Sequence, residues 1–224
     1  MKLGVLLPTF RDDAEGAFVV ASEAERAGLD GVFAFDHLWP MGSPRRPALA
    51  PFPVLAAIAL RCPSLYVGPL VARVGLVATS KLVEQFTTLS ALAPGRVIAA
   101  LGTGDKLSEA EQVAYGLGHL AADQRRHLLG EAIDALAPLL SVWCGAGSAQ
   151  TNQLARDRGV VINLWGAPPG AVRELSLSGE VSWAGPLGED VEVTLGALEG
   201  AGATWAVAAA PLQLDAMRAW RRAH

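Results

Sequence analysis

Three short stretches carry the groups best suited to chemistry. Asp36-His37 follows an apolar run. An aspartate accepts hydrogen bonds, and a histidine donates, accepts or shuttles a proton near neutral pH. The pair also reads as a helix cap or a loop hydrogen bond. Gly102-Thr103-Gly104-Asp105 follows another apolar run. Its glycines let a ligand approach the backbone closely. Asp105 is a general-acid candidate, provided burial raises its pKa. A tight turn, or a helix start through Ser108 and Glu109, is the competing reading. Gly145-Ala146-Gly147-Ser148 opens a helical segment, where free amides and the helix dipole suit a phosphate. No Lys follows its second glycine and Gln150 stands at the third glycine position, so it is neither a Walker loop nor a dinucleotide fingerprint. A plain turn capped by Ser148 is the alternative. His119 and His127 flank Asp123. A solvated face explains them better than a metal. Cys62 and Cys144 lack nearby histidines and read as core or loop thiols.

The elements that must position these residues are regular. Apolar runs of strand length occupy residues 3–8, 31–36, 65–72, 97–102, 141–145, 160–165, 181–184 and 204–209. Helical spacing follows each, over residues 14–27, 52–60, 80–92, 123–140, 148–158, 168–177, 189–201 and 212–222. In the first helix Phe18, Val19, Ala21, Ala24 and Ala27 are apolar while Glu15, Glu23, Glu25 and Arg26 point outward, and Gly28 is a stop. The runs are continuously apolar rather than alternating, as in parallel strands buried on both faces. Eight βα units predict an α/β fold, a (β/α)8 barrel of parallel strands. An open doubly wound sheet is the runner-up. Spread over eight units, 224 residues give about 28 each, which suits one compact barrel domain over residues 1–224. In a barrel, chemistry belongs at the C-terminal strand ends. Those ends carry Pro8, Asp36-His37, Val71-Ala72, Asn163 to Trp165 and the two glycine turns. Trp39 adjoins Asp36-His37 in a Pro-rich loop.

Composition narrows the class. The chain is 51% hydrophobic and 18% charged, which excludes a disordered polymer. Net charge is -4 with scattered basic residues, against a nucleic-acid partner. Arg61, Pro63, Pro69 and Arg73 break the longest apolar stretch, against a membrane span. The first residues do not form a signal peptide, because only five apolar residues separate Lys2 from Pro8. A cytoplasmic protein with reduced thiols and a small-molecule substrate is expected.

The ordered motifs resemble a known family. Leu3-Gly-Val-Leu-Leu-Pro8, the stretch from Ala21 to Asp30, and Gly31-Val-Phe-Ala-Phe-Asp-His-Leu38 look like the start of the bacterial luciferase-like flavin-dependent oxidoreductases. Residues 89–104 look like their fourth strand and its approach, and residues 142–148 like their fifth-strand phosphate turn. The resemblance implies a (β/α)8 barrel that binds FMN or coenzyme F420 at the C-terminal strand ends. Asp36-His37-Leu38-Trp39 and Gly102-Thr-Gly-Asp105 favour the F420-dependent branch. It implies catalytic roles for His37 and Asp105. It implies cofactor contacts for Asp36, Val71, Ala72, Gly102, Thr103, Gly104, Ser108, Gly145, Ala146, Gly147 and Ser148. Asp105 replaces the branch's Glu and is one methylene shorter, and Ser108 stands where Asn is frequent. The family often has a non-prolyl cis peptide at the end of the third strand, the place of Pro69-Leu-Val-Ala72. Dimerisation is its habit. The activity implied is hydride transfer with F420, or monooxygenation with FMN, on a small organic substrate. Family members usually carry an insertion around the seventh strand, and the shorter chain leaves a second reading open, a homologue that binds a flavin or F420 without turnover.

Overall fold

The computed structural model describes residues 1–40, 42–104 and 108–224. Strands and helices alternate as the hydrophobic pattern predicts, except where β3 is followed by β4 and α4 by α5. The first half holds β1 (Lys2–Leu6), α1 (Glu15–Arg26), β2 (Gly31–Ala34), α2 (Pro51–Arg61), β3 (Tyr66–Pro69), β4 (Ala72–Arg73), α3 (Thr79–Leu92) and β5 (Ile98–Gly102). The second half holds α4 (Glu109–Ala114), α5 (Ala122–Leu136), β6 (Ser141–Gly145), α6 (Ala149–Asp157), β7 (Val161–Trp165), α7 (Pro169–Ser176), β8 (Val181–Pro186), α8 (Val191–Gly200), β9 (Ala203–Ala209) and α9 (Leu214–Ala223).

The strands run parallel in the order β3-β2-β1-β9-β8-β7-β6-β5-β4. The predicted third strand is one apolar run in sequence but two short strands in space. β3 pairs with β2, β4 pairs with β5, and the Leu70–Val71 peptide between them is cis. A parallel bridge between Val67 and Val97, with Val67 N–H donating to Arg96 O at 2.8 Å, closes the ring. The open-sheet alternative is thereby overturned. Gly68 permits this closure, because a Cβ there would lie 2.3 Å from the backbone oxygen of Ile98.

Successive strand residues face opposite sides. Leu3, Val5, Val32, Ala99 and Leu101 face outward and pack with Phe86, Leu129 and Ile133 of the helices. Phe33, Ile98, Trp143, Trp205 and Val207 fill the barrel axis. Phe33 stacks on Trp143 at 5.3 Å, and Trp205 meets both rings edge-on at 5.9 and 5.5 Å. Lys2 Nζ lies 4.4 Å from the Tyr66 ring centre at the N-terminal end. The axis is packed with aromatic rings, so open space remains at the C-terminal strand ends.

Two helices also differ from the sequence reading. The helix expected to reach residue 140 stops at Leu136: Ala137 still has helical angles and donates to Ile133 O, but Pro138 has no N–H with which to continue the ladder. Helix α4 has too few apolar residues to show a period. His119 lies before α5 and pairs with Gln112 at 2.6 Å, while His127 pairs with Glu131 at 3.4 Å. Among the described residues no cluster of metal-binding side chains forms and no helix is long and apolar enough to cross a membrane.

Candidate active site

A cavity of about 340 Å³ opens at the C-terminal strand ends. Phe10 reaches it from the loop after β1, and Phe35 and His37 from the loop after β2. The broken third strand supplies Leu70, Val71 and Arg73. Gly102, Thr103 and Gly104 come from the end of β5 and the residues after it, Ser108 from the N-cap of α4, and Gly145, Ala146 and Gly147 from β6 and its turn. Asn163 and Trp165 complete the wall from β7. Six segments far apart in sequence meet there because a closed parallel barrel brings every strand end to one rim.

One wall is aromatic. Phe10 and Phe35 stack at 5.4 Å with rings 7° from parallel, and Trp165 lies 5.7 Å from Phe35. Trp165 remains 53% exposed, an unusual state for a tryptophan, and it offers an uncovered ring face at the mouth. Asn163 is buried and donates to Ser182 Oγ at 3.0 Å.

The polar wall is a buried ion network. Arg73 is 4% exposed. Its Nε donates to Asp36 O at 2.7 Å and its Nη1 to Glu111 Oε1 at 2.7 Å. Its backbone N–H donates to Asp36 Oδ2 at 2.9 Å. Nη2 is buried and has no partner among the described residues. Glu111, from α4, also meets His37 Nδ1 through Oε1 at 2.8 Å and accepts from Leu38 N through Oε2 at 2.6 Å. Burial pushes the Asp36 carboxyl above its ordinary value, against the lowering pull of the Arg73 hydrogen bond and of the Arg73 and His37 charges.

That direction has a consequence for stability. A carboxyl raised on folding binds its proton more tightly in the native than in the unfolded chain. The folded state therefore loses stability as pH rises from the unfolded value through the raised one, and the cost disappears as pH falls below both values. Asp36→Asn keeps an oxygen for Arg73 N–H and removes the buried charge. It is expected to be at least as stable as the parent above neutral pH, with the advantage shrinking toward acid. Thermal unfolding between about pH 5 and 8 checks this; a deficit that grows with pH refutes it.

The turn after β5 is held from behind. Arg125 of α5 donates Nη1 to Thr103 O at 2.8 Å and to Gly104 O at 2.7 Å. Gly104 takes φ of 65°, a left-handed conformation that glycine adopts without strain. After β6 Ser148 takes the role its alternative reading gave it, a helix cap: its Oγ accepts from Thr151 N at 3.2 Å.

Most predicted site residues therefore line one cavity: His37, Val71, Gly102, Thr103, Gly104, Ser108, Gly145, Ala146 and Gly147. Three expected with them do not. The Asp36 carboxylate turns to the backbone of Arg73, Ala72 is fully buried in the outer core, and Ser148 caps α6. Asp105 lies outside the described residues. Arg73, Glu111, Phe10 and Phe35 are additions that sequence reading did not single out for the site. Arg73 left one signal, a charge ending an apolar run at a C-terminal strand end; Glu111 left none.

A barrel with an aromatic and glycine-lined cavity at its C-terminal rim defines the class. Residues 1–141 match the luciferase-like monooxygenase family, and the chain belongs to it. Over 123 residues it is 36% identical to an F420-dependent glucose-6-phosphate dehydrogenase of Beutenbergia cavernae, a match covering 54% of this chain and 35% of that protein. The chain thus spans about a third of the length of such curated relatives. Whole-chain similarity is structural. An F420-dependent secondary alcohol dehydrogenase in complex with an F420-acetone adduct superimposes with a TM-score of 0.76 at 13% identity, covering 97% of each chain. A monooxygenase from Streptomyces bottropensis gives 0.76 at 13% identity, covering 99% of this chain and 97% of that one.

Proposed function

We propose that this chain is a coenzyme F420-dependent oxidoreductase acting on a small organic substrate, with His37 and Asp105 as its proton-handling residues. The observation that carries the reading is the placement of His37 on the cavity wall that also holds the aromatic rings and glycine turns. Similarity to F420-dependent dehydrogenases over half of the chain supports the choice of coenzyme.

The residues present fit a flat, polar-edged ring system. Phe35 and Trp165 supply apolar faces, and Gly102, Gly104 and Gly145 leave the wall without projecting side chains. Buried Arg73 Nη2 is a donor in need of an acceptor, and a ligand oxygen at the wall would supply one. Gly145 to Gly147 and the first amides of α6 would hold a phosphate, since first-turn amides lack intrahelical partners. When bound, the deazaflavin gives or takes a hydride. His37 then moves the accompanying proton at the substrate oxygen, and the packed barrel axis keeps water out from below. The same reading makes residues 1–224 one barrel domain, cytoplasmic and homodimeric.

Equilibrium titration with F420 and with FMN tests it. F420 is expected to bind at least tenfold more tightly, a difference of about 1.4 kcal/mol. Tight FMN binding without an F420 response would replace the dehydrogenase by a flavin monooxygenase. With reduced or oxidised F420 bound, Asp105→Ala is expected to lose about 10² or more in turnover while retaining the coenzyme. Coenzyme binding without turnover of any substrate would make the chain a non-catalytic binder.

A further inference from the structure

We propose that Glu111 is the positioning residue of this site: it fixes His37 as the Nδ1–H tautomer, so that the neutral ring presents Nε2 to the cavity as a proton acceptor. The inference rests on the reading of His37 as the group that handles the proton.

The argument is one of counting donors. Glu111 Oε1 lies 2.7 Å from Arg73 Nη1 and 2.8 Å from His37 Nδ1, and Oε2 lies 2.6 Å from Leu38 N. An arginine nitrogen and a backbone amide only donate. A carboxylate that receives both acts as an acceptor, so the third contact needs its hydrogen on Nδ1. The lone pair of the neutral ring is then on Nε2, the nitrogen turned away from Glu111. Glu111 is 2% exposed, so water cannot stand in for it.

Arg73 makes the arrangement one-directional. It donates to the same Oε1 that His37 meets, which lowers that oxygen's appetite for the imidazole proton. Arg73 is itself fixed by Asp36 O and Oδ2. Tyr115, the C-cap of α4, also grips the loop beyond His37: its Oη donates to Leu38 O at 3.4 Å and its ring lies 6.0 Å from Trp39. The rings of Phe10 and Phe35 flank the imidazole at 6.3 and 6.1 Å, with planes inclined by 60° and 65°. The ring is therefore held in place and in tautomer before any ligand arrives. It is ready to take a proton from a ligand hydroxyl as that carbon loses a hydride to the coenzyme.

Long-range ¹H–¹⁵N spectra of the labelled protein, without coenzyme, test this. The pH is raised until the imidazole is neutral. The four histidines are distinguished through His37→Gln. His37 is expected as Nδ1–H. In Glu111→Gln one acceptor oxygen faces three donors, and the Nε2–H form is expected to appear. If that variant does not fold, the double variant Arg73→Met/Glu111→Leu removes both charges together and gives the same readout. A parent His37 in the Nε2–H form overturns the proposal, and so does an unchanged Nδ1–H form once the carboxylate is gone. In the coenzyme-loaded enzyme, Glu111→Gln is expected to lower kcat by at least about tenfold with little change in KM. Failure to bind F420 sinks the oxidoreductase reading and leaves the tautomer result standing.

Discussion

Arg73→Met is expected to cost about 3–5 kcal/mol of folding stability, the range seen when one partner of a buried ion pair is removed. The guanidinium is 4% exposed and Glu111 2% exposed, so neither charge has water to fall back on. Methionine fills most of the lost volume but leaves Glu111 with only Leu38 N and His37 as donors. Asp36 O and Oδ2 also lose the charge that draws them together with Arg73. In a chain of this size the loss corresponds to roughly 10 °C in Tm. Arg73→Met/Glu111→Leu is expected to recover most of it, because a buried pair and a well-packed apolar replacement are often close in energy. Thermal and denaturant unfolding of the three proteins measure both effects. A single-variant loss below about 1 kcal/mol contradicts a buried pair.

The barrel was legible in the chain because its strands are buried on both faces, and such strands read as unbroken apolar runs. The division of residues 65–72 into β3 and β4 was not legible. That run is apolar throughout, and only pairing with β2 on one side and β5 on the other separates its halves. The rim followed from the strand ends, but the face of each side chain depends on parity. Phe33 fills the axis, so Phe35 and His37 two and four residues on face the cavity, while Asp36 between them turns to Arg73. Val71 and Arg73 line the cavity and Ala72 between them packs outward. Adjacent residues such as Asp36 and His37, or Val71 and Ala72, therefore do not share the cavity as the family pattern led us to expect. Glu111 was hidden for another reason. It lies in a six-residue helix that is too short and polar for a period, and its partners stand 38 and 74 positions away.

Gly102→Ala is expected to weaken both the fold and the cavity, because the atoms nearest the added methyl belong to Val71, which can yield only toward the cavity. The added Cβ would lie 2.3 Å from Val71 Cγ2. Val71 is branched at Cβ, with few rotamers open to it. It is also close to the next strand, where a Cβ on Gly145 would lie 3.2 Å from Val71 Cγ1. Backbone shift is resisted as well, since Arg73 pairs with Gly102 across β4 and β5 and Val74 N–H donates to Gly102 O at 3.0 Å. Val71 must then move into the space a ligand would use. Overpacking of this kind costs about 1–3 kcal/mol. A clash with a flat ligand of the size proposed is expected to weaken F420 binding by at least about tenfold. Gly102→Ala/Val71→Ala returns the volume and is expected to restore much of both. Gly196→Ala is the control, because it lies in α8 outside the cavity and a Cβ there meets nothing within 4 Å. Parent-like melting and parent-like F420 affinity in Gly102→Ala would rule out Val71 as the wedge between the two glycine turns. Loss in Gly102→Ala but not in Gly196→Ala would locate the constraint at β4 and β5, where the polar network and the glycine turns share one wall.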